Sequence, residues 1–394
     1  MIVCFQRTIV LGNAPGHQPL DGLLQDDGKA FPENISYNLK EDTLILPYSS
    51  GTSGSPKGVM LTSYSIVSNL IQICNPDILD VQHDDVYLCV LPLYHIFAQV
   101  VIMFGGFRYG TTIVTMSKFD PVAYLDNIQK YQITHLHVVP PIMMFLGNHP
   151  ILDKYDFSSV QQCFFSAAPA PLVVIEQFKN RFGEKVILNQ GYGMTELSPA
   201  SHVNPKLRRR PDTVGTVLPN AQFKIRDIET NQSLPAYKEG EICVKGPQMM
   251  KGYFKNDKAT SETIIDGWLH TGDVGYYDED GYTVITDRIK ELIKVKGFQV
   301  APAELEDLLL THPAVQDVAV IGKPDDVAGE LPRAYIVLKP EAKATEEDIT
   351  NYVKEKAAPY KQLKGGVQFR KEIPKSASGK ILKRILKDEL RQGS

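Results

Sequence analysis

Three short apolar runs separated by helical patterns constrain the fold of this chain more than any other feature. Residues 86–91 (Val-Tyr-Leu-Cys-Val-Leu), 111–115 (Thr-Thr-Ile-Val-Thr) and 135–139 (His-Leu-His-Val-Val) are rich in β-branched and aliphatic side chains. Residues 121–131 place apolar side chains at helical spacing behind Pro121, a favoured first helical residue. Strands alternating with helices predict an α/β fold with largely parallel pairing. His135 and His137 alternate along one run among apolar neighbours and read as structural; metal ligation is the alternative that spacing alone leaves open.

With 394 residues and 43% hydrophobic content, the chain exceeds what one compact core holds, so at least two domains are expected. Between residues 217 and 244 the pattern changes to short β-like runs with turns at Pro219-Asn220 and Glu239-Gly240, which predicts a β-rich, antiparallel subdomain. A small α+β unit follows residues 287–290. It comprises a helix over residues 301–310 with Pro302 in its first turn, strands over residues 315–321 and 334–338, and a helix over 345–357 that Thr345 and Asp348 cap. A last helix is expected over residues 380–390.

A net charge of −4 gives no electrostatic case for nucleic acid or an anionic membrane as partner. The one dense basic cluster, Arg208, Arg209 and Arg210 beside Pro211, reads as a solvated loop. Cys4, Cys74, Cys89, Cys163 and Cys243 are odd in number and lack metal or redox spacing, which favours a reducing, intracellular compartment. The apolar run at residues 100–104 stops at Gly105, Gly106 and Arg108, too short for a membrane segment. The first residues lack the pattern of a secretory signal, and the final Arg-Gln-Gly-Ser is not a peroxisomal tripeptide. A cytoplasmic or peroxisomal location is expected.

Residues 48–58 read Tyr-Ser-Ser-Gly-Thr-Ser-Gly-Ser-Pro-Lys-Gly. Gly51, Gly54 and Gly58 let backbone N–H groups turn toward an anion, Ser49, Ser50, Thr52 and Ser53 add hydroxyl donors, and Lys57 adds a positive charge. With a strand over 43–47 before it and a helix capped by Thr62 after it, running through Ile66, Leu70 and Ile73, the loop suits a polyphosphate. It is not the common nucleoside-triphosphatase loop, because Pro56 precedes the lysine and Gly58 follows it. A solvated turn is the alternative on composition alone.

Five further stretches carry chemistry. His95 follows an apolar strand where a strand end feeds a pocket. Residues 190–196 (Gln-Gly-Tyr-Gly-Met-Thr-Glu) offer an aromatic face, a hydroxyl and, in Glu196, a hard oxygen ligand suited to Mg²⁺. Asp273 closes Trp-Leu-His-Thr-Gly-Asp with a carboxylate able to accept both hydrogen bonds of a ribose diol. Arg288, Lys290, Lys294 and Lys296 cluster at the expected domain junction, and Lys380 ends a small-residue loop from which a mobile domain presents it to an anion. Taken singly, each has a plainer reading as a core histidine, a turn or a solvated face.

Their joint occurrence, in this order, resembles the adenylate-forming superfamily, most closely its branch of 4-coumarate–CoA ligases, firefly luciferases and acyl-CoA synthetases. The resemblance runs from about residue 8 to 391. It implies a large AMP-binding domain over residues 1–287, incomplete at its N-terminus, and a small mobile C-terminal domain over 288–394 that turns about Lys290. It further implies that ATP and a carboxylic acid, aromatic or fatty, form an acyl adenylate, which coenzyme A then attacks.

Residue by residue, the resemblance assigns Ser49, Ser50, Gly51, Thr52, Ser53 and Lys57 to the leaving phosphates, Glu196 to Mg²⁺ and Thr195 to the α-phosphate. Gln190, Gly191 and Tyr192 fall at the adenine, and Asp273 and Arg288 at the ribose. Lys380 bridges carboxylate and phosphate. Lys118, Lys296 and Gly297 line the coenzyme A site, while Lys294 and Gln299 hold the adenylate and the domain interface. His95 and Phe97 form the acyl pocket and its gate, with Gly191, Leu197 and Pro199 beside them, and Ala200 extends the same apolar slot.

Residues 166–172 (Ser-Ala-Ala-Pro-Ala-Pro-Leu) depart from the family's usual Ser-Gly-Ala-Ala-Pro-Leu, at the wall shared by adenine and acyl group. A luciferase-type monooxygenase and a non-catalytic nucleotide-binding fragment are the competing readings.

Overall fold

The computed structural model describes residues 9–10, 12, 14–16, 18–29, 33–49, 56–166, 172–376 and 379–392. Two compact units divide at residue 39. The first holds a short parallel strand pair, Ile9–Val10 with Gln18–Pro19, and one helical turn, Leu20–Leu23.

The second unit is built on a seven-stranded sheet in the order Thr216–Val217, Ala200–Val203, Ile187–Gly193, Gln162–Phe165, His135–Val138, Val86–Cys89 and Thr112–Thr115. The last five run parallel, and the first two are added antiparallel. Helices Pro121–Lys130, Pro140–Asn148 and Leu172–Phe182 bury Tyr124, Leu125, Ile128, Met143, Ile175 and Phe178 in a core shared with the strands. All four residues of His135–Val138 and of Gln162–Phe165 are therefore buried, as in a sheet covered on both faces. His135 Nδ1 lies 3.3 Å from Asp85 Oδ1 and 2.9 Å from Thr134 Oγ1, which holds the ring within the sheet.

Residues 217–244 adopt the expected antiparallel pattern, which continues to Arg288. Ser233–Leu234, Gln222–Arg226, Gly240–Lys245, Trp268–Tyr277 and Ile264–Ile265 pair in that order, and Thr283–Arg288 joins Trp268–Tyr277. A third sheet corrects one expectation. The glycine loop does not lead straight into a helix, because Lys57–Thr62 first forms a strand paired with Thr43–Ile45, Tyr48–Ser49 and Gly252–Tyr253. Only then does helix Ser63–Ile73 begin, capped by Thr62 as expected, with Ser65 N donating to Thr62 Oγ1 at 3.1 Å.

The C-terminal sheet runs Phe298–Val300, Ile293–Val295, Gly329–Leu338 and Val315–Asp325, with Val367–Phe369 parallel to Gly329–Leu338. Helices Pro302–Leu310 and Glu346–Lys356 close one core, the second capped as predicted by Thr345 and Asp348. The last helix, Lys383–Gln392, buries Leu386 against Ala319, Ile321 and Tyr335. No helix among the described residues is long and apolar enough to cross a membrane.

Candidate active site

The strand Ile187–Gly193 carries Gln190, Gly191 and Tyr192 to its end, and the turn Thr195–Leu197 follows at once. Gly193 is required there: a Cβ would stand 2.0 Å from the Pro199 carbonyl oxygen and 2.8 Å from Ala200 Cα. The close return sets Thr195 and Glu196 beside the strand end and leaves Leu197 and Pro199 buried.

From the antiparallel sheet, Asp273 and Arg288 stand opposite each other on neighbouring strands. Asp273 is 3% exposed; its Oδ1 meets Arg288 Nε at 2.9 Å and its Oδ2 accepts from Tyr192 OH at 2.7 Å. Burial first, and the Asp273 charge second, push the Tyr192 phenol well above its usual range, so it stays a donor. Two carboxylate oxygens with one bond each retain lone pairs for a diol.

Glu196 lies 4% exposed, its Oε1 accepting from Tyr253 OH at 2.8 Å. Among the described residues, Glu196 Oε2 carries no hydrogen bond. A single hard oxygen left open beside a phosphate loop fits Mg²⁺, which takes one or two protein carboxylates and completes its shell with phosphate and water. Lys57 Nζ sits 4.5 Å from the Tyr253 ring centroid, so Lys57 and the Glu196 carboxylate share one aromatic support.

Ser49 pairs with Lys57 across the hairpin, which pins both ends of the loop; Ser50, Gly51, Thr52 and Ser53 lie outside the described residues. Beside it, Tyr48, Pro56, Lys57, Gly58, Phe254 and Lys255 line an open cleft of about 420 Å³.

Lys380, more than a hundred residues beyond Asp273, is partly buried within the field of this cluster. Burial and the Arg288 guanidinium bring its ammonium down from the usual lysine range to about 8, against the opposing pull of Glu291, Asp273 and Glu196.

On the sheet's other side of the strand ends, His95 Nδ1 accepts from Phe97 N at 3.3 Å, and burial lowers the imidazole's proton affinity. Phe97 is buried, its ring 5.7 Å from Phe164, while Ser166 Oγ donates to the Gly191 carbonyl at 2.9 Å. Gly191, Leu197 and Pro199 are buried like Phe97, while His95 is partly exposed. Of residues 166–172, 167–171 lie outside the described residues.

The remaining expected residues stand apart from the cluster. Lys118 is exposed between Thr112–Thr115 and the helix after it. Lys294 pairs with Gln299 in the hairpin of Ile293–Val295 and Phe298–Val300, whose turn is Lys296 and Gly297, and all four are exposed. Lys290 lies exposed in the turn that follows Arg288.

Two supporting residues carried no legible motif. Tyr253 reaches Glu196 from 57 positions away. Glu241 Oε1 accepts from Gly272 N at 3.2 Å while its Oε2 accepts from Arg226 Nε at 3.0 Å and contacts His270 Nδ1 at 2.8 Å, steadying the turn before Asp273. Glu241, Cys243 and His270 also meet a three-ligand metal spacing, but Arg226 already neutralises the carboxylate they share.

Comparison with known proteins identifies the family. The family described as AMP-binding enzyme matches residues 6–254, and the AMP-binding enzyme C-terminal domain matches residues 304–380. A probable 4-coumarate–CoA ligase of Dictyostelium discoideum is 44% identical over 367 residues, covering 93% of this chain; the chain spans 66% of that relative's length. ATP-bound MatB from Rhodopseudomonas palustris superposes with a TM-score of 0.84 at 30% identity, over 90% of this chain and 69% of that one. The o-succinylbenzoate CoA synthetase MenE from Bacillus subtilis, with its acyl-adenylate intermediate, gives 0.80 at 30% identity, over 95% of this chain and 74% of that one.

Proposed function

The chain belongs to the AMP-binding, adenylate-forming enzyme family, and from that premise we propose that it is an ATP-dependent carboxylate–CoA ligase working through an acyl adenylate. The observation that carries the reading is the convergence of Lys380 with Asp273, Arg288 and Glu196. A phosphorus centre under attack needs positioned cations and dipoles more than acid–base chemistry, and this cluster supplies them.

In the first half-reaction a carboxylate oxygen of the acid attacks the α-phosphorus of ATP, the bond to the bridging oxygen breaks, and pyrophosphate leaves. Asp273 and Arg288 hold the ribose, and Gln190, Gly191 and Tyr192 border the adenine. Thr195 donates to the α-phosphate, and Lys57, with the loop from Ser49, retains the leaving phosphates. Lys380 bridges the acid's carboxylate and the α-phosphate as negative charge gathers between them. Glu196 is the residue to hold Mg²⁺, which when bound offsets phosphate charge. His95 and Phe97, with Leu197 and Pro199, border the slot for the acid's apolar part.

In the second half-reaction the residues beyond Lys290 rotate, Lys380 withdraws, and the coenzyme A thiolate attacks the adenylate carbonyl, releasing AMP. The exposed Lys118, Lys296 and Gly297 are then the residues to meet coenzyme A, with Lys294 and Gln299 at the new interface. AMP leaves far more readily than oxide, so one hard step becomes two easier ones.

Acids are to be tested as a panel of cinnamic-type and fatty carboxylates, following the 4-coumarate–CoA ligase relatives. Hydroxamate formation with hydroxylamine, and thioester formation with coenzyme A, are expected for at least one acid. Light emission with luciferin and oxygen, independent of coenzyme A, would replace the ligase reading by the monooxygenase one.

A further inference from the structure

A second buried charge cluster lies three residues past Lys380. Lys383 Nζ stands 2.9 Å from Glu306 Oε1 and 3.4 Å from Glu291 Oε2, and its side chain is only 10% exposed. Glu306 Oε1 also accepts from Val320 N at 2.7 Å, which ties the pair to the C-terminal sheet. Asp287 completes the cluster: its Oδ2 accepts from Ala303 N at 3.0 Å and its Oδ1 from Arg288 N at 2.6 Å.

Burial opposes the Lys383 charge, yet Glu306, Glu291 and Asp287 outweigh it and raise its proton affinity above that of an ordinary lysine. Burial chiefly lifts Asp287 to about 6, and Glu306 adds to the effect, while Lys383 and the two backbone N–H groups pull the other way. Two carboxylates thus contact one ammonium and a third, Asp287, adds to its field. They come from the strand before Lys290 (Asp287), the turn after it (Glu291) and the helix Pro302–Leu310 (Glu306).

The Lys380 turn is held on both flanks. On one side Lys375 Nζ meets Asp317 Oδ2 at 2.6 Å; within the turn Ser376 N donates to the Lys380 carbonyl at 2.8 Å and Lys380 N to Ser376 Oγ at 3.1 Å. On the other side stands Lys383. Gly379, at φ +79°, rests against the start of helix Pro140–Asn148, where a Cβ would lie 2.9 Å from Pro141 Cδ.

We propose that Lys383 is a positioning residue: clasped by Glu306 and Glu291 beside Asp287, it holds the Lys380 turn at the nucleotide cluster and so favours adenylation over thioester formation. This rests on the reading that Lys380 acts in the first half-reaction. Rotation about Lys290 carries Glu291, Glu306 and Lys383 together but leaves Asp287 behind. The bond from Ala303 N to Asp287 Oδ2, which ties the helix carrying Glu306 to the strand ending at Arg288, therefore belongs to the adenylating arrangement alone.

The test compares Lys383→Met and Lys383→Arg with the unaltered chain, using 4-coumarate for ATP–pyrophosphate exchange and synthetic 4-coumaroyl adenylate with coenzyme A for the second step. The methionine variant is expected to lose at least about tenfold in exchange while keeping thioester formation within about threefold, and arginine to restore exchange. Amide hydrogen exchange gives a readout that needs no activity: residues 374–382 should exchange faster in Lys383→Met, with residues 135–138 unchanged. Should Lys383→Met unfold, Glu291→Gln, which keeps the Glu306 pair, is expected to show the same pattern more weakly. Equal loss of both half-reactions, or unchanged exchange at residues 374–382, overturns the proposal. Absence of any adenylation by the unaltered chain counts against the ligase reading, and the hydrogen-exchange result still decides this one.

Discussion

Tyr192→Phe tests the anchoring of the ribose carboxylate with the least disturbance, because the ring stays and only one oxygen goes. In the structure that oxygen donates to Asp273 Oδ2 at 2.7 Å, and the acceptor is 3% exposed. A hydrogen bond to a charged, buried acceptor contributes about 1.5–3 kcal/mol, and its loss leaves Asp273 held by Arg288 alone, with Oδ2 unpaired among the described residues. Arg288 binds the other oxygen and is about one-third exposed, so it compensates only in part.

The expected outcome is a fall of about 1.5–3 kcal/mol in unfolding free energy by urea titration without nucleotide. Saturating AMP should return part of that loss, since a ribose hydroxyl supplies the missing donor. A double-mutant cycle with Asp273→Asn isolates the pair, and a coupling above about 1 kcal/mol is expected because the two side chains are in contact. Effects that add to within about 0.5 kcal/mol, or a loss that AMP leaves untouched, would refute the anchoring role.

Three other outcomes follow from the same site. Lys380 must be cationic to bridge two anions, and its lowered value of about 8 means that the charge is lost as pH rises through that range. Adenylation measured as kcat/KM should decline above pH 8, and Lys380→Arg should move that decline upward, with an unchanged profile contradicting the role. Glu196→Gln removes the open carboxylate while Tyr253 keeps a partner, so the Mg²⁺ concentration for half-maximal adenylation should rise at least about tenfold, with folding by circular dichroism intact. In Gly193→Ala the new methyl meets the Pro199 carbonyl at 2.0 Å, which displaces the Thr195–Leu197 turn. Adenylation should fall at least about a hundredfold in kinetic assays, and a crystal structure with the turn unmoved would count against this explanation.

What the sequence made legible is local. The runs at 86–91 and 135–139 show their strands because a sheet covered on both faces needs continuous apolar residues, and 111–115 shows its half-exposed edge strand by β-branched side chains. The caps at Thr62 and Thr345 were readable, the first from a lone threonine before a helical pattern and the second from Asp348 three residues on. The strand Lys57–Thr62 was not, since Lys-Gly-Val-Met-Leu-Thr runs directly into a helix cap and its partners lie as far off as Gly252–Tyr253.

Asp273 and Arg288 were both singled out, but their registration on adjacent strands follows from pairing that single residues do not reveal. Tyr253, Glu241 and Lys383 escaped for the same reason. A tyrosine, a glutamate and a lysine in ordinary surroundings gain meaning only when the fold buries each against a partner many residues away. Lys118, Lys294, Lys296, Gly297 and Gln299 present the converse case, conspicuous by motif and exposed in this arrangement.

Carboxylate-dependent exchange of labelled pyrophosphate into ATP tests the central claim most directly, because it reports reversible formation of an acyl adenylate and needs no coenzyme A. The account predicts exchange with at least one cinnamic-type or fatty acid, abolished by Lys380→Ala, while that variant still converts a supplied adenylate to thioester. Folded protein that exchanges with no acid in the panel, or that exchanges undiminished without Lys380, would contradict it.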